Sequence, residues 1–210
     1  MDRLLDTAIG LAQEAGRVLI DYFDRGFSVR AKAASDLVTD ADVAAERLIA
    51  AGLRAAFPDH QILAEEEHSG CVDAEHLWIV DPLDGTTNFA HGIPHYAVSI
   101  AYLHKGRTQC GVVWNPARND LYHAVAAKGA WHNGREISVN SATRLNESLI
   151  GIGFYYDRGA MMEATLQAVG DCFRRGIHGV RRFGTASLVL AHVASGLYGA
   201  YFEYQLSPWD

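Results

Sequence analysis

The sequence is short of cysteine, short of proline and short of positive charge. Its 210 residues include 3 Cys and 5 Pro. Cys71, Cys110 and Cys172 are odd in number and far apart, with no CxxC pair and no Cys/His zinc spacing. A disulfide framework and a structural zinc site are both disfavoured, and the expectation is three reduced cysteines in a cytoplasmic protein. With 20 Gly and 5 Pro there is no low-complexity segment. The 49% hydrophobic and 20% charged content excludes a disordered or fibrous chain. No apolar run is long enough to span a bilayer. The opening Met1-Asp2-Arg3-Leu4-Leu5-Asp6 lacks the basic region and apolar core of a signal peptide. A formal charge of −7 argues against nonspecific binding to nucleic acid or anionic lipid, so neither is expected as a direct partner.

What is present is acidity in one place. Residues 36–84 carry Asp36, Asp40, Asp42, Glu46, Asp59, Glu65, Glu66, Glu67, Asp73, Glu75, Asp81 and Asp84 against only Arg47 and Arg54. Around this stretch the hydrophobic pattern gives a coarse map. Leu4, Ala8, Leu11, Ala15, Val18 and Tyr22 step at helical spacing, and that helix ends near Arg25-Gly26. Residues 30–38 read as a polar connection. A second helix starts near Thr39-Asp40, where Thr39 and Asp42 have capping-box spacing, and it ends at Phe57-Pro58-Asp59. Residues 61–64 read as a short strand, and 77–80 as a strand buried on both faces. Strands at 96–103, 109–114 and 121–126, with turns between them, suggest an antiparallel meander, and Trp131-His132-Asn133-Gly134 suggests another hairpin. Strands at 149–154 and 198–204 and helices at 160–173 and 185–194 complete the reading. No linker divides the chain, so one domain over 1–210 is expected.

The sharpest chemical feature follows the buried strand. In Asp81-Pro82-Leu83-Asp84-Gly85-Thr86-Thr87-Asn88-Phe89, two carboxylates three residues apart converge on one point. Pro82 fixes a turn, and Gly85 lets backbone approach a ligand. Thr86, Thr87 and Asn88 suit the first turn of a short helix whose N–H groups favour phosphate. Carboxylates beside phosphate repel it unless a hard cation such as Mg²⁺ bridges them. The bland alternative is an Asp-Pro turn with a threonine cap. Glu65-Glu66-Glu67 at the end of the 61–64 strand is either a solvated charge run or part of the same site. Asp42 is a helix cap, a site residue or both. Glu203, after Ala200-Tyr201-Phe202, is either buried with a polar partner or solvent-facing.

These residues resemble a known family. Asp81-Pro82-Leu83-Asp84-Gly85-Thr86-Thr87-Asn88-Phe89-Ala90-His91 is similar to the first signature of the inositol monophosphatase family. Asp36-Leu37-Val38-Thr39-Asp40-Ala41-Asp42 resembles its N-terminal loop motif, and Ile62-Leu63-Ala64-Glu65-Glu66 its Gly-Glu-Glu metal motif. Gly184-Thr185-Ala186-Ser187-Leu188 and Tyr201-Phe202-Glu203-Tyr204 with Pro208-Trp209-Asp210 resemble its late substrate and metal segments. The matches fall in family order along nearly the whole chain.

The resemblance implies an α/β fold, a layered α-β-α-β-α sandwich of the inositol monophosphatase and fructose-1,6-bisphosphatase type, found as a homodimer. It implies Mg²⁺, two or three ions. Glu65, Asp81 and the Leu83 carbonyl would bind the first, Asp81, Asp84 and Asp210 the second, and Glu65 with waters a weaker third. Asp42 would hydrogen-bond Thr86, and Thr86 with Glu65 would help activate water. The Gly85 and Thr86 amides would cradle phosphate, while Asp84, Gly184, Ala186 and Glu203 would meet the alcohol. The implied reaction is Mg²⁺-dependent, lithium-sensitive hydrolysis of myo-inositol monophosphate or a similar small polyol phosphate by metal-activated water. Fructose-1,6-bisphosphate, histidinol phosphate and nucleotide 3′-phosphates are used by relatives. Cys71, Cys110 and Cys172, and the 10 histidines apart from His91, match no catalytic position. Arg174-Arg175 and Arg181-Arg182 would serve a second phosphate, a dimer interface or only solvent. Two departures stand out. Ala64 replaces the family's glycine, and the sequence stops at Asp210 where the family continues, so truncation is expected. That stop motivates an alternative: a non-catalytic regulatory protein of the same fold that binds a macromolecular partner, since bacterial relatives are associated with RNA-processing and transcription machinery.

Overall fold

The computed structural model describes residues 1–33, 36–156 and 158–210. Helix α1 (Asp2–Arg25) buries Ala8, Leu11, Ala12, Ala15 and Leu19, the stripe expected from their spacing, and stops at Gly26 with φ 95°. The next segment differs from expectation. In place of a polar connection, β1 (Val29–Ala33) pairs antiparallel with β2 (Asp36–Thr39). A polar segment still has backbone N–H and C=O groups to satisfy, and here they satisfy each other. Helix α2 (Asp40–Ala56) follows, capped at Thr39 as its spacing predicts. Gly52 lets α1 and α2 approach closely, because a Cβ there would stand 2.3 Å from Leu11 Cδ2.

The largest sheet has seven strands in sequential order. They are β3 (Gln61–Ala64), β4 (His76–Asp84), β5 (Ala97–His104), β6 (Arg107–Asn115), β7 (Asp120–Val125), β8 (Gly129–His132) and β9 (Arg135–Glu136). All neighbours are antiparallel except β3 and β4, which are parallel. Lys105-Gly106 and Asn133-Gly134 all have positive φ, which gives the two-residue turns that match strand twist. One face of the sheet, with Trp78, Val80, Val98, Ile100 and Val112, packs on α1 and α2 to form the main core.

The rest of the chain builds a second sheet. Strand β10 (Leu149–Ile152) lies between β11 (Gly179–Arg181) and β12 (Ala200–Phe202), all parallel. Strand β11 has three residues, too few to show an alternation, and sequence reading misses it. Strand β12 is shorter than the 198–204 expected. Helix α4 (Ala160–Arg174) packs Val169 and Cys172 on Ile150, Ile152 and Ile177. Helix α5 (Ala186–Ala194) lies between the sheets: Leu188 meets Ala97 and Tyr122, and Val189 presses on Gly151. The result is the expected mixed α/β layering, helices outside two sheets with α5 between them. None of the three cysteines is in a disulfide. Among the described residues, no helix is long and apolar enough to cross a membrane.

Candidate active site

The parallel register of β3 and β4 sets Ala64 opposite Val80. The next residue of each strand is a carboxylate, so Glu65 and Asp81 emerge side by side. Strand β4 does not end at Val80, as the sequence reading has it, but continues through the motif. Asp81 pairs with Ser99 and Asp84 with Ala97, and the register slips between them at Pro82 and Leu83. Pro82 has no N–H to give the ladder, so a break there costs little. Within the break, Asp81 Oδ1 accepts the Leu83 N–H at 3.0 Å. Both carboxylates are buried, Asp81 2% and Asp84 7% exposed.

Gly85 then turns the chain into α3 (Thr86–Ala90) with φ 97°. A Cβ at Gly85 would lie 2.5 Å from Thr185 Cγ2, so conformation and space both demand glycine. Thr185 is where the second sheet's loop meets the first. Asp84 holds that loop: its Oδ1 accepts the Ala186 N–H at 3.2 Å, and its Oδ2 accepts the Ser187 N–H at 2.8 Å and the Ser187 hydroxyl. Asp84 therefore caps α5 from across the cleft. Asn88 Nδ2 adds donations to the carbonyls of His95 (2.8 Å) and Phe183 (2.6 Å). His91 is exposed at the end of α3.

Asp42 does two jobs with its two oxygens. Oδ2 accepts the Thr39 N–H at 2.8 Å and the Thr39 hydroxyl at 2.5 Å, closing the capping box. Oδ1 lies 3.0 Å from the Thr86 hydroxyl, which is also 3.0 Å from the Leu83 carbonyl. Sequence reasoning missed the support under Glu65. Glu46, fully buried on α2, accepts the N–H groups of Glu66 and Glu67, each at 2.7 Å, and contacts His68 Nδ1 at 2.6 Å. Arg47 grips Glu67 with two donors, at 2.8 and 2.6 Å. The Glu66 and Glu67 part of the acidic run is thus anchored to α2. Only the i, i+1 pair Glu46-Arg47 on α2 hints at this in the sequence, and its partners lie about twenty positions away.

Glu203 sits just past β12, half-buried, with the Tyr201 hydroxyl donating to its Oε2. Asp210 Oδ2 accepts the Ser207 N–H. Every residue to which the resemblance gives a metal, water or substrate role, except Asp42, lines one cleft of about 440 Å³: Glu65, Asp81, Leu83, Asp84, Gly85, Thr86, Gly184, Ala186, Glu203 and Asp210. Arg182 also lines it, lying over Phe154 at 5.8 Å, whereas Arg174 is engaged with Asp171.

The carboxylates resist ionisation. Burial pushes Asp81 well above the usual range, and Glu65, Asp84 and Asp210 add like-charge repulsion. Burial raises Asp84 to about 6 against the Ser187 donors, with Asp210 adding to the rise. Asp210 and Glu203 are raised by burial, opposed by the Ser207 N–H and by Tyr201 respectively. Burial also raises Asp42, opposed by its Thr39 and Thr86 bonds. Such a group is relieved by protons or by cations, and an all-oxygen set with a nearby carbonyl fits a hard divalent ion such as Mg²⁺.

The inositol monophosphatase family model matches residues 1–210. The Nus factor SuhB of Pseudomonas aeruginosa is 43% identical over 219 residues, which cover all of this chain and 80% of that protein. The crystal structure of the extragenic suppressor protein suhB from Bartonella henselae superposes with a TM-score of 0.92 at 36% identity, over 99% of this chain and 80% of that one. A Thermotoga maritima IMPase superposes with a TM-score of 0.90 at 34% identity, over 100% of this chain and 79% of that one. With the family's model matched from end to end and its layered fold present, this chain belongs to the inositol monophosphatase family.

Proposed function

We propose that this chain is a Mg²⁺-dependent phosphomonoesterase for a small phosphorylated polyol, with myo-inositol monophosphate as the leading substrate. The observation that carries this reading is the β3–β4 register, which delivers Glu65 beside Asp81 at a cleft that Asp84 and Asp210 also line. Glu65, Asp81, the Leu83 carbonyl, Asp84 and Asp210 would hold the ions. Bound Mg²⁺ would neutralise phosphate charge and supply an acidified water. The chain's own groups would do the positioning. Thr86, whose one hydroxyl proton faces the Asp42 carboxylate and the Leu83 carbonyl at 3.0 Å each, would keep its lone pairs to orient a water with Glu65. The Gly85 and Thr86 amides would take phosphate oxygens. Gly184, Ala186 and Glu203 would meet the alcohol, with Arg182 at the rim. A cytoplasmic homodimer is the form proposed.

The test is phosphate release from myo-inositol monophosphate, fructose-1,6-bisphosphate, histidinol phosphate and a nucleotide 3′-phosphate, with and without Mg²⁺. Full turnover in excess chelator, or unchanged turnover by Asp81→Asn, would sink the reading.

A second reading rests on the relatives' names. Several are called Nus factor SuhB, a name that places those proteins with transcription complexes. The names favour a role for this chain in binding a macromolecular partner of that kind, alongside or instead of hydrolysis. They also weigh against the expectation that it meets no nucleic acid. Capture of transcription-complex components by the wild type and equally by Asp84→Asn would support a role independent of the cleft. No capture by either would remove it.

A further inference from the structure

We propose that Glu75, His76 and His104 form a separate site for a late first-row divalent cation of the zinc type, at the end of the large sheet opposite the carboxylate cleft. Among the described residues, this trio brings one ligand atom each to within 4.8 Å of one another. His76 and His104 are direct cross-strand partners in the β4–β5 ladder, so their spacing is set by backbone pairing. Glu75 is the residue before β4, and its carbonyl takes the Lys105 N–H at 2.7 Å. Its carboxylate lies 3.4 Å from His104 Nε2.

The surroundings suit an ion. The Tyr102 hydroxyl holds His76 Nδ1 at 2.7 Å, leaving the other ring nitrogen for the ion. A polar partner of this kind fixes the tautomer of a ligating imidazole. The ring of His76 is stacked on that of His60 at 4.5 Å, which restricts its rotation, whereas the half-exposed ring of His104, also stacked on His76 at 5.0 Å, would turn out of that stack so that its in-plane lone pair meets the same ion. His60 is a wall and not a ligand at Nδ1, because that atom accepts from Trp78 Nε1 at 3.1 Å. Two imidazoles and one carboxylate are the donor set of many zinc sites, and hard Mg²⁺ has little preference for them. Zinc ligands stand about 3.4 Å apart when bonded at their usual lengths. The half-exposed His104 and exposed Glu75 have the freedom to close from 4.8 Å. One competitor is present: Lys105 Nζ sits 3.3 Å from Glu75 Oε1 on a largely exposed side chain. An ion would displace it.

Five residue steps of extended strand separate His76 from Asp81, about 17 Å. The two sites are therefore independent, and an ion here would tie the 65–75 loop to the end of the β4–β5 ladder without entering the cleft.

The experiment is a calorimetric titration of the full chain with Zn²⁺ under saturating Mg²⁺, beside Cu²⁺ electron paramagnetic resonance. Wild type should bind one Zn²⁺ with imidazole nitrogen coupling in the Cu²⁺ spectrum. His104→Gln should weaken that event by more than about a hundredfold, since even outer partners of metal ligands are worth tenfold to a hundredfold. It should remove part of the nitrogen coupling and leave phosphatase turnover in Mg²⁺ unchanged. Glu75→Gln, on an exposed side chain that the fold does not need, should weaken Zn²⁺ as well. Lys105→Ala should tighten it several-fold. An isotherm unchanged in both His104→Gln and Glu75→Gln, or a Cu²⁺ spectrum without imidazole coupling, overturns the site.

Discussion

The two sheets are built on unequal foundations. The seven-stranded sheet rests on two long helices and a broad core that includes Leu19, Ile49, Leu53, Trp78, Phe89 and Ile100, all essentially inaccessible. Among the described residues, the three-stranded sheet has three buried residues in its own cluster, Ile150, Ile152 and Ile177. The cleft draws on both. Glu65, Asp81 and Asp84 come from the heavily cored side, and Gly184, Ala186, Glu203 and Asp210 from the lightly cored side. On the proposed roles the difference separates tasks in part: Glu65, Asp81 and Asp84 sit where backbone movement costs most, and the groups proposed to face the alcohol sit, with the fourth ion-holding carboxylate Asp210, where the fold has least to lose. The two sides are joined at Asp84 with Ser187 and at Asn88 with Phe183.

The most damaging change should fall on the rigid side. Asp81→Asn keeps the acceptor for the Leu83 N–H but removes the charge. Loss of a carboxylate proposed to hold metal is expected to cost several kcal/mol of transition-state stabilisation, about a thousandfold in kcat/KM. Stability should move the other way. A carboxyl raised in the fold is most stabilising when protonated, and that contribution is lost as pH rises. At neutral pH without metal, Asp81→Asn should therefore melt above wild type. Phosphate-release kinetics paired with thermal melting in chelator reads both signs, and a lower melting point for the variant would contradict the like-charge account.

Metal should close the same gap in wild type. At a hundredfold excess over Kd, mass action gives about 2.7 kcal/mol. For a chain of this size that is about 5–11 °C in Tm. Asp84 is raised to about 6 from a usual carboxylate value of 3.8. Between those values the unfolded chain loses its proton first, so the metal-free fold loses stability as pH climbs through that window. Above it the carboxylate is ionised in the fold and ready for a cation. The Mg²⁺-induced rise in Tm should accordingly be small at pH 5 and fully developed at pH 7.5. An equal rise at both would mean the cleft carboxylates are not the ligands.

The rigid side was the more legible in the sequence, for a physical reason. Leu77, Trp78, Ile79 and Val80 form a continuous apolar run and Asp81 follows it directly, so strand and site are local facts of one segment. The capping box of Thr39 and Asp42 spans three residues. Glu46 was invisible because its partners are backbone amides twenty and twenty-one positions away, and backbone carries no residue signature. The β1–β2 hairpin and β11 are missed because these strands carry polar residues such as Arg30, Lys32 and Arg181 in place of the apolar runs that mark the equally short β3 and β10. The pairing of His76 with His104 depended on strand register, which no periodicity reveals.

Glu46 gives the next test. Glu46→Gln replaces an acceptor for three donors by a group with one acceptor and one donor end. Charge-assisted bonds of this kind are worth about 1.5–3 kcal/mol, so Tm should fall by about 3–12 °C. Glu65 adjoins the two anchored amides, so Mg²⁺ affinity should drop with it, read by the Mg²⁺ dependence of turnover. A lower Tm with unchanged Mg²⁺ dependence would confine Glu46 to the fold.

The smallest effect is the one that addresses the junction itself. Asn88 reaches from α3 to the His95 and Phe183 carbonyls, so it links the rigid side to the loop carrying Gly184 and Ala186. Asn88→Ala should cost only about 1 kcal/mol of stability, because both carbonyls can turn to water. Its effect on turnover should be larger than its effect on folding. The alcohol-side groups would lose one of their two tethers while Asp84 still caps α5, giving an increase in KM and about a tenfold loss in kcat/KM. A loss confined to kcat with KM unchanged would instead place Asn88 with the charge-dense groups. The division of tasks between the two sheets would then lie further along the chain than Asp84.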